Sequence, residues 1–227
     1  MEQKRNYRLP ADIERESMRI IGTELARRGI ALSAEHEPVV KRVIHTTADF
    51  DYGESLRFTD GAVKAAVKAL QAGATIVTDT NMAKAGVSST ALAKLGGEAC
   101  CFMSDPDVAR DAGARGITRA AVCMEKAAGE YPGAALAVGN APTALLRLCE
   151  LMETGLRPAF VIGVPVGFVN VVESKERIFE ACRTYGVPCI AAMGRKGGSN
   201  VAAAICNALL YAALDAVDPA RREEKLT

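Results

Sequence analysis

The chain has 227 residues, 49% hydrophobic and 24% charged, with neither long charged runs nor low-complexity tracts. Disordered, collagen-like and coiled-coil chains are thereby excluded, and one α/β domain is the expectation. Lys and Arg number 28 against 27 Asp and Glu, a net charge of +1, which cannot supply the broad positive field of a non-specific nucleic-acid binder. Any anionic partner has to meet a local cluster.

The chain opens with helical patterns at residues 10–28, ended by Gly29, and at about 37–47. A third helix follows at 61–71 with Asp60 as its cap; Val63, Ala66, Val67 and Leu70 form one face. Residues 1–72 therefore read as a helical arm, too small to be a domain, that packs on a sheet or on a second subunit. From about residue 75 the pattern becomes βα. Strands are predicted at 75–78, 98–103, 134–138, 159–164 and 188–193, and helices at 89–95, 118–128, 141–154, 169–185 and 199–214. Ser88 or Ser89, Thr118, Asn140 and Ser199 stand where caps belong, glycines follow most helix ends, and Asp105-Pro106 opens a shorter helical turn. Strands without polar alternation are buried on both faces. The expectation is a doubly wound, five-stranded parallel sheet over residues 73–214, with a polar tail at 215–227.

The seven cysteines, an odd number without a C-x-x-C pair, read as reduced and mostly buried thiols. Met1 to Arg8 is polar, unlike a secretory signal, so the cytoplasm is the expected compartment. The apolar segments 159–172 and 201–214 are about 14 residues long, short of the roughly 20 a membrane span needs. They read as core or subunit-interface elements.

Ligands of open parallel sheets bind beyond the carboxyl ends of the strands. Five segments fall there: Thr78 to Met82, Met103 to Asp105, Gly139 to Thr143, Gly163 to Gly167, and Gly194 to Asn200. Each alone could be ordinary turn chemistry; five together point to a site. From them, Thr80, Asn81, Met82, Gly139, Asn140, Thr143, Arg195, Lys196, Gly197 and Gly198 are candidate substrate contacts. In the last segment two cations precede two glycines at a helix start, where free amides favour a carboxylate or phosphate. The alternative is a glycine turn with solvated cations. Neither a Walker loop nor a G-x-G-x-x-G follows any strand, which argues against nucleotide enzymes.

Of the two histidines, His36 lies in a polar helix start and reads as solvated. His45 follows Val43-Ile44 and precedes Thr46-Thr47-Ala48-Asp49, which surrounds a titratable imidazole with apolar and hydrogen-bonding neighbours. Spacing alone favours a satisfied buried histidine over a catalyst. Ser17 shares a helix face with Ile13, Ile20, Ile21 and Glu24, as a ligand contact or a hydroxyl bonded to its own helix.

Nine segments in order carry a resemblance. They are Ile13 to Ser17, Arg42 to His45, Gly73-Ala74 leading to Thr78 to Met82, Gly116 to Arg119, Val138 to Leu145, Gly163 to Val169, Glu173-Ser174-Lys175, Gly186 to Pro188, and Gly194 to Ser199. Over about residues 10–214 the chain resembles the precorrin-8X methylmutase family of cobalamin biosynthesis. The resemblance implies an isomerase that moves a methyl group from C11 to C12 of a corrin precursor, without redox change and without a cofactor. It implies a flavodoxin-like fold and a homodimer with the tetrapyrrole between subunits. It places His45 at the position of the catalytic proton donor, and Ser17, Arg119 and Arg195 along the substrate. Thr46 to Tyr52 looks more like members that act on the cobalt-containing substrate. A non-catalytic tetrapyrrole carrier is the competing reading, and a phosphate-ester enzyme ranks last because no acidic metal ligands converge on Arg195 and Lys196.

Overall fold

The computed structural model describes residues 9–226, so the segment before Leu9 that carries the signal-peptide argument lies outside the described residues. In chain order the elements are α1 (Pro10–Arg27), α2 (Glu37–Thr47), α3 (Tyr52–Ser55), β1 (Leu56–Phe58), α4 (Ala62–Gln71), β2 (Ile76–Thr78), α5 (Asn81–Gly86) and α6 (Ser89–Lys94). They continue with β3 (Ala99–Cys100), α7 (Pro106–Arg115), α8 (Arg119–Glu130), β4 (Ala135–Val138), α9 (Pro142–Glu153), β5 (Phe160–Gly163), α10 (Val171–Tyr185), β6 (Cys189–Ala192), α11 (Ser199–Ala213) and α12 (Pro219–Leu226).

The sheet has six strands, not five, in the order β1-β6-β5-β4-β2-β3. The extra strand comes from the predicted helical arm. It pairs antiparallel to β6, with Leu56 opposite Ala192 and Phe58 opposite Ile190, so the sheet is mixed. Three residues give no readable period, and edge pairing is decided by the neighbour that supplies the hydrogen bonds. The other five strands are parallel.

β2, β4, β5 and β6 are buried at every position, because helices cover both faces. Ile76, Ala135, Ala137, Phe160, Ile162 and Ile190 face one core with α2, α4, α5, α6 and α11. Val77, Leu136, Val138, Val161 and Ala191 face the other with α7 to α10. α11, whose apolar sequence raised the membrane question, is a core helix wedged between the sheet, α2, α4 and α5. Among the described residues no helix is long and apolar enough to cross a membrane.

Two further differences matter to the site. Thr80 to Met82, read as loop, begins the short α5, because the Thr80 hydroxyl accepts from the Ala83 amide and caps it. The tail contains α12, which packs on α1 through Arg222; charge patterning concealed it because the helix depends on its partner rather than on an apolar face. The Asp60 cap is replaced by Gly61 at φ 64°, with no side-chain bond.

Candidate functional site

The order of the parallel strands reverses between β2 and β4, the point at which open α/β sheets bind ligands beyond the carboxyl ends of the strands. Asp79 bridges that point. Its side chain is fully buried, and its two carboxylate oxygens accept from the amides of Gly139 (2.8 Å), Asn140 (2.8 Å) and Ala141 (2.7 Å). Burial pushes the carboxyl up, and the three amides pull against that rise. Gly139 also meets the next loop: a Cβ there would lie 2.8 Å from Ser199 Cα and 2.9 Å from the Gly198 carbonyl. The predicted cap Asn140 is exposed, and α9 starts behind Ala141 instead.

The Thr80 and Ser199 hydroxyls lie 2.8 Å apart and join α5 to the first residue of α11, so Ser199 is a link rather than a cap. Asn81 donates to Ser104 at 2.8 Å, and the Thr143 and Thr118 hydroxyls pair at 2.7 Å. The latter contact sets Arg119, exposed at the start of α8, beside the start of α9. Met82 is 72% exposed; Phe168 and Val169, after β5, are 83% and 77% exposed. These apolar groups stand exposed in the segments that follow β2 and β5.

Residues 194–198 sit over the end of β6. The Gly198 amide donates to the Val164 carbonyl at 2.9 Å, and a Cβ on Gly197 would fall 2.1 Å from that same oxygen, so only glycine fits at 197. The two cations of this loop behave differently. Lys196 is neutralised by Asp49 and Asp51, each 2.6 Å from its Nζ, and its hydrogen bond holds Asp49 below the usual carboxylate range. Arg195 has no carboxylate partner among the described residues, and its guanidinium lies 5.6 Å from the Phe168 ring centre. The anion-binding expectation therefore rests on Arg195, not on the pair.

Lys196 also brings the N-terminal arm to the site. Asp49 follows the end of α2, while Arg42, one turn before His45, lies over Tyr211 late in α11. The helices therefore run antiparallel, with His45 toward the carboxyl ends of the strands. The His45 side chain is exposed and its imidazole makes no hydrogen bond among the described residues, which corrects the reading of a satisfied buried histidine. Partial burial lowers its pKa, Arg42 and Arg222 lower it further, and Glu14 raises it.

Glu14 accepts from Arg42 at 2.5 Å and from Arg222 at 2.8 and 2.9 Å. The Ser17 hydroxyl, one turn along α1, donates to the Ile13 carbonyl at 2.9 Å. His36 stacks on Phe58 at 3.9 Å rather than standing free in solvent.

Sequence reasoning missed three supporting groups. Asp79 was legible as an acid directly after an apolar strand. Lys175 was legible as a lysine on the stripe Val171, Ser174, Ile178 and Cys182 that α10 buries. Arg222 gave no signal, because its carboxylate partner is 208 residues away. Among the described residues no group of three or more His, Cys, Asp or Glu is arranged to hold a metal ion.

A profile of the precorrin-8X methylmutase family matches residues 12–212. A cobalt-precorrin-8 methylmutase of Salmonella typhimurium is 49% identical over 78% of this chain and 81% of its own length. One of Priestia megaterium is 43% identical over 88% and 87%. The crystal structure of a Thermus thermophilus precorrin-8x methyl mutase superposes with a TM-score of 0.79 at 43% identity, covering 89% of this chain and 98% of that one.

Proposed function

The chain belongs to the precorrin-8X methylmutase family and is an isomerase of that kind; on that premise we propose that it moves the C11 methyl of cobalt-precorrin-8 to C12, giving cobyrinic acid, with His45 as proton donor. The names of the Salmonella and Priestia relatives support the cobalt form. The tetrapyrrole lies across the carboxyl ends of the strands, with Phe168, Val169 and Met82 against its plane and Ser17, Arg119 and Arg195 along its edge. Thr80, Asn81, Asn140 and Thr143 line the loops beneath it. Arg195, exposed and without a carboxylate partner among the described residues, is a planar cation suited to a peripheral carboxylate. The observation that carries this reading is the tie of Lys196 to Asp49, which sets the His45 helix against the loop bearing Arg195.

The lowered pKa favours a neutral His45 at pH 7, whose ring N–H can donate to a docked macrocycle. Carboxylates of a docked macrocycle raise that pKa and shift the group toward proton donation as the methyl migrates.

A second copy of the chain completes the site in this reading. Leu9, the N-cap of α1, and Ile13 and Ile20 within it are 58%, 51% and 53% exposed at intervals of four and seven residues, an apolar stripe beside Ser17 that a homodimer would cover. The parallel strand order β3-β2-β4-β5-β6 supports a flavodoxin-like description with β1 added at one edge. Seven unpaired cysteines suit the reducing cytoplasm.

The test is incubation of the purified protein with precorrin-8 and with its cobalt form, followed by visible absorption. Turnover of the cobalt form is expected. Tight binding without turnover would make the protein a tetrapyrrole carrier, and faster turnover of the metal-free form would reverse the substrate assignment. Sedimentation is expected to show a dimer; a fully active monomer at micromolar concentration would remove the second copy from the site.

A further inference from the structure

The Lys175 side chain is fully buried, yet it has no carboxylate partner among the described residues. Its Nζ donates to the carbonyl of Gly194 at 2.8 Å and to that of Lys196 at 2.7 Å. These two carbonyls belong to the residues immediately before and after Arg195. Both turn inward onto one ammonium group, and Arg195 between them is turned out to solvent. The Arg195 carbonyl is used as well, accepting from the Gly167 amide at 3.3 Å.

A buried ammonium without a counter-ion is costly, and a hydrophobic side chain of similar length is often the more stable choice. Its two hydrogen bonds constrain backbone rather than bridge helices. Three consecutive carbonyls held in this way leave the Arg195 backbone little freedom to redirect its side chain. We propose that Lys175 is a positioning residue for substrate binding: from beneath, it holds the Gly194–Lys196 backbone so that Arg195 faces the substrate's carboxylate. This rests on the reading of Arg195 as the carboxylate clamp. Lys196 restrains the same loop from the other side through Asp49 and Asp51, so two lysines fix it between the sheet and the His45 helix.

The proposal is tested with Lys175→Met, Arg195→Ala and the double variant in the full chain, using cobyrinic acid for binding and cobalt-precorrin-8 for turnover. Lys175→Met is expected to weaken cobyrinic acid binding and raise KM about tenfold while kcat stays within about threefold, because the reacting end of the macrocycle is untouched. The double variant is expected to bind within about twofold of Arg195→Ala, since both changes remove one interaction. Losses that multiply in the double variant overturn the proposal, as does a lower kcat at unchanged KM. Parent-like binding by Lys175→Met beside weak binding by Arg195→Ala overturns it alone. Parent-like binding by Arg195→Ala overturns the clamp reading and the proposal with it. If Lys175→Met does not fold, Lys175→Gln, which is neutral and too short to span both carbonyls, is judged by the same criteria.

Discussion

Glu14 and Arg222 lie 208 residues apart in sequence and are joined by two hydrogen bonds of 2.8 and 2.9 Å, locking α12 onto α1. Arg42 of α2 shares the same carboxylate, so one acidic group fastens the helices that carry Ser17 and His45. Burial pushes the Glu14 carboxyl up, but the two guanidinium groups outweigh it and hold the pKa below the ordinary value.

Glu14→Gln is expected to cost about 3 kcal/mol, because two partly buried arginines lose their counter-charge. The lowered pKa makes the glutamate's contribution complete above its unfolded value and lost as pH falls through the folded one. The difference in urea midpoint between parent and variant should therefore shrink on acidification. Removing Glu14 also removes the influence that raises the His45 pKa, so the imidazole should titrate lower. Ring-proton NMR reads this directly, since the chain has only two histidines.

His45→Ala is expected to retain affinity for cobyrinic acid and to lose about 100- to 10,000-fold in turnover, the usual contribution of a positioned acid. Turnover within about threefold of the parent would remove His45 from the chemistry.

Asp79→Asn puts an amide where three backbone N–H groups now meet a carboxylate. A loss of about 2 kcal/mol is expected, together with weaker binding, as charge-assisted bonds are replaced by a mismatched donor. Gly139→Ala should cost about 1–3 kcal/mol, because its Cβ would press on the backbone of Gly198 and Ser199. Unchanged thermal midpoints for both would remove the brace between the β2 and β4 loops.

Burial lowers the Lys175 pKa to about 8. Between pH 8 and the ordinary lysine range the unfolded chain binds the proton that the folded chain has released, so stability from this group rises with pH across that window. Below pH 8 the full burial penalty applies. Comparing thermal midpoints at pH 7.5 and 9.5, Lys175→Met should lack the part of the alkaline gain that belongs to this lysine. An identical change in parent and variant would mean that Lys175 remains charged throughout.

The parallel strands, the helices between them and the loops at their carboxyl ends were legible because each depends on local chemistry: unbroken apolar runs, caps and glycines. The segments that resemble the family carried His45, Ser17, Arg119 and Arg195 as candidates. What the linear chain could not express was pairing between distant groups. β1 exists because β6 offers an unpaired edge, and α12 docks because Arg222 reaches Glu14. Lys196 looked like half of an anion site and is instead held by two aspartates, while Lys175, which had no role assigned from the sequence, is buried beneath the loop. Sequence sets which residues carry charge and which segments can form strands and helices. Whether a charge meets a partner, a carbonyl or solvent depends on distances of a few ångströms between elements far apart in the chain, and only the packed structure sets those.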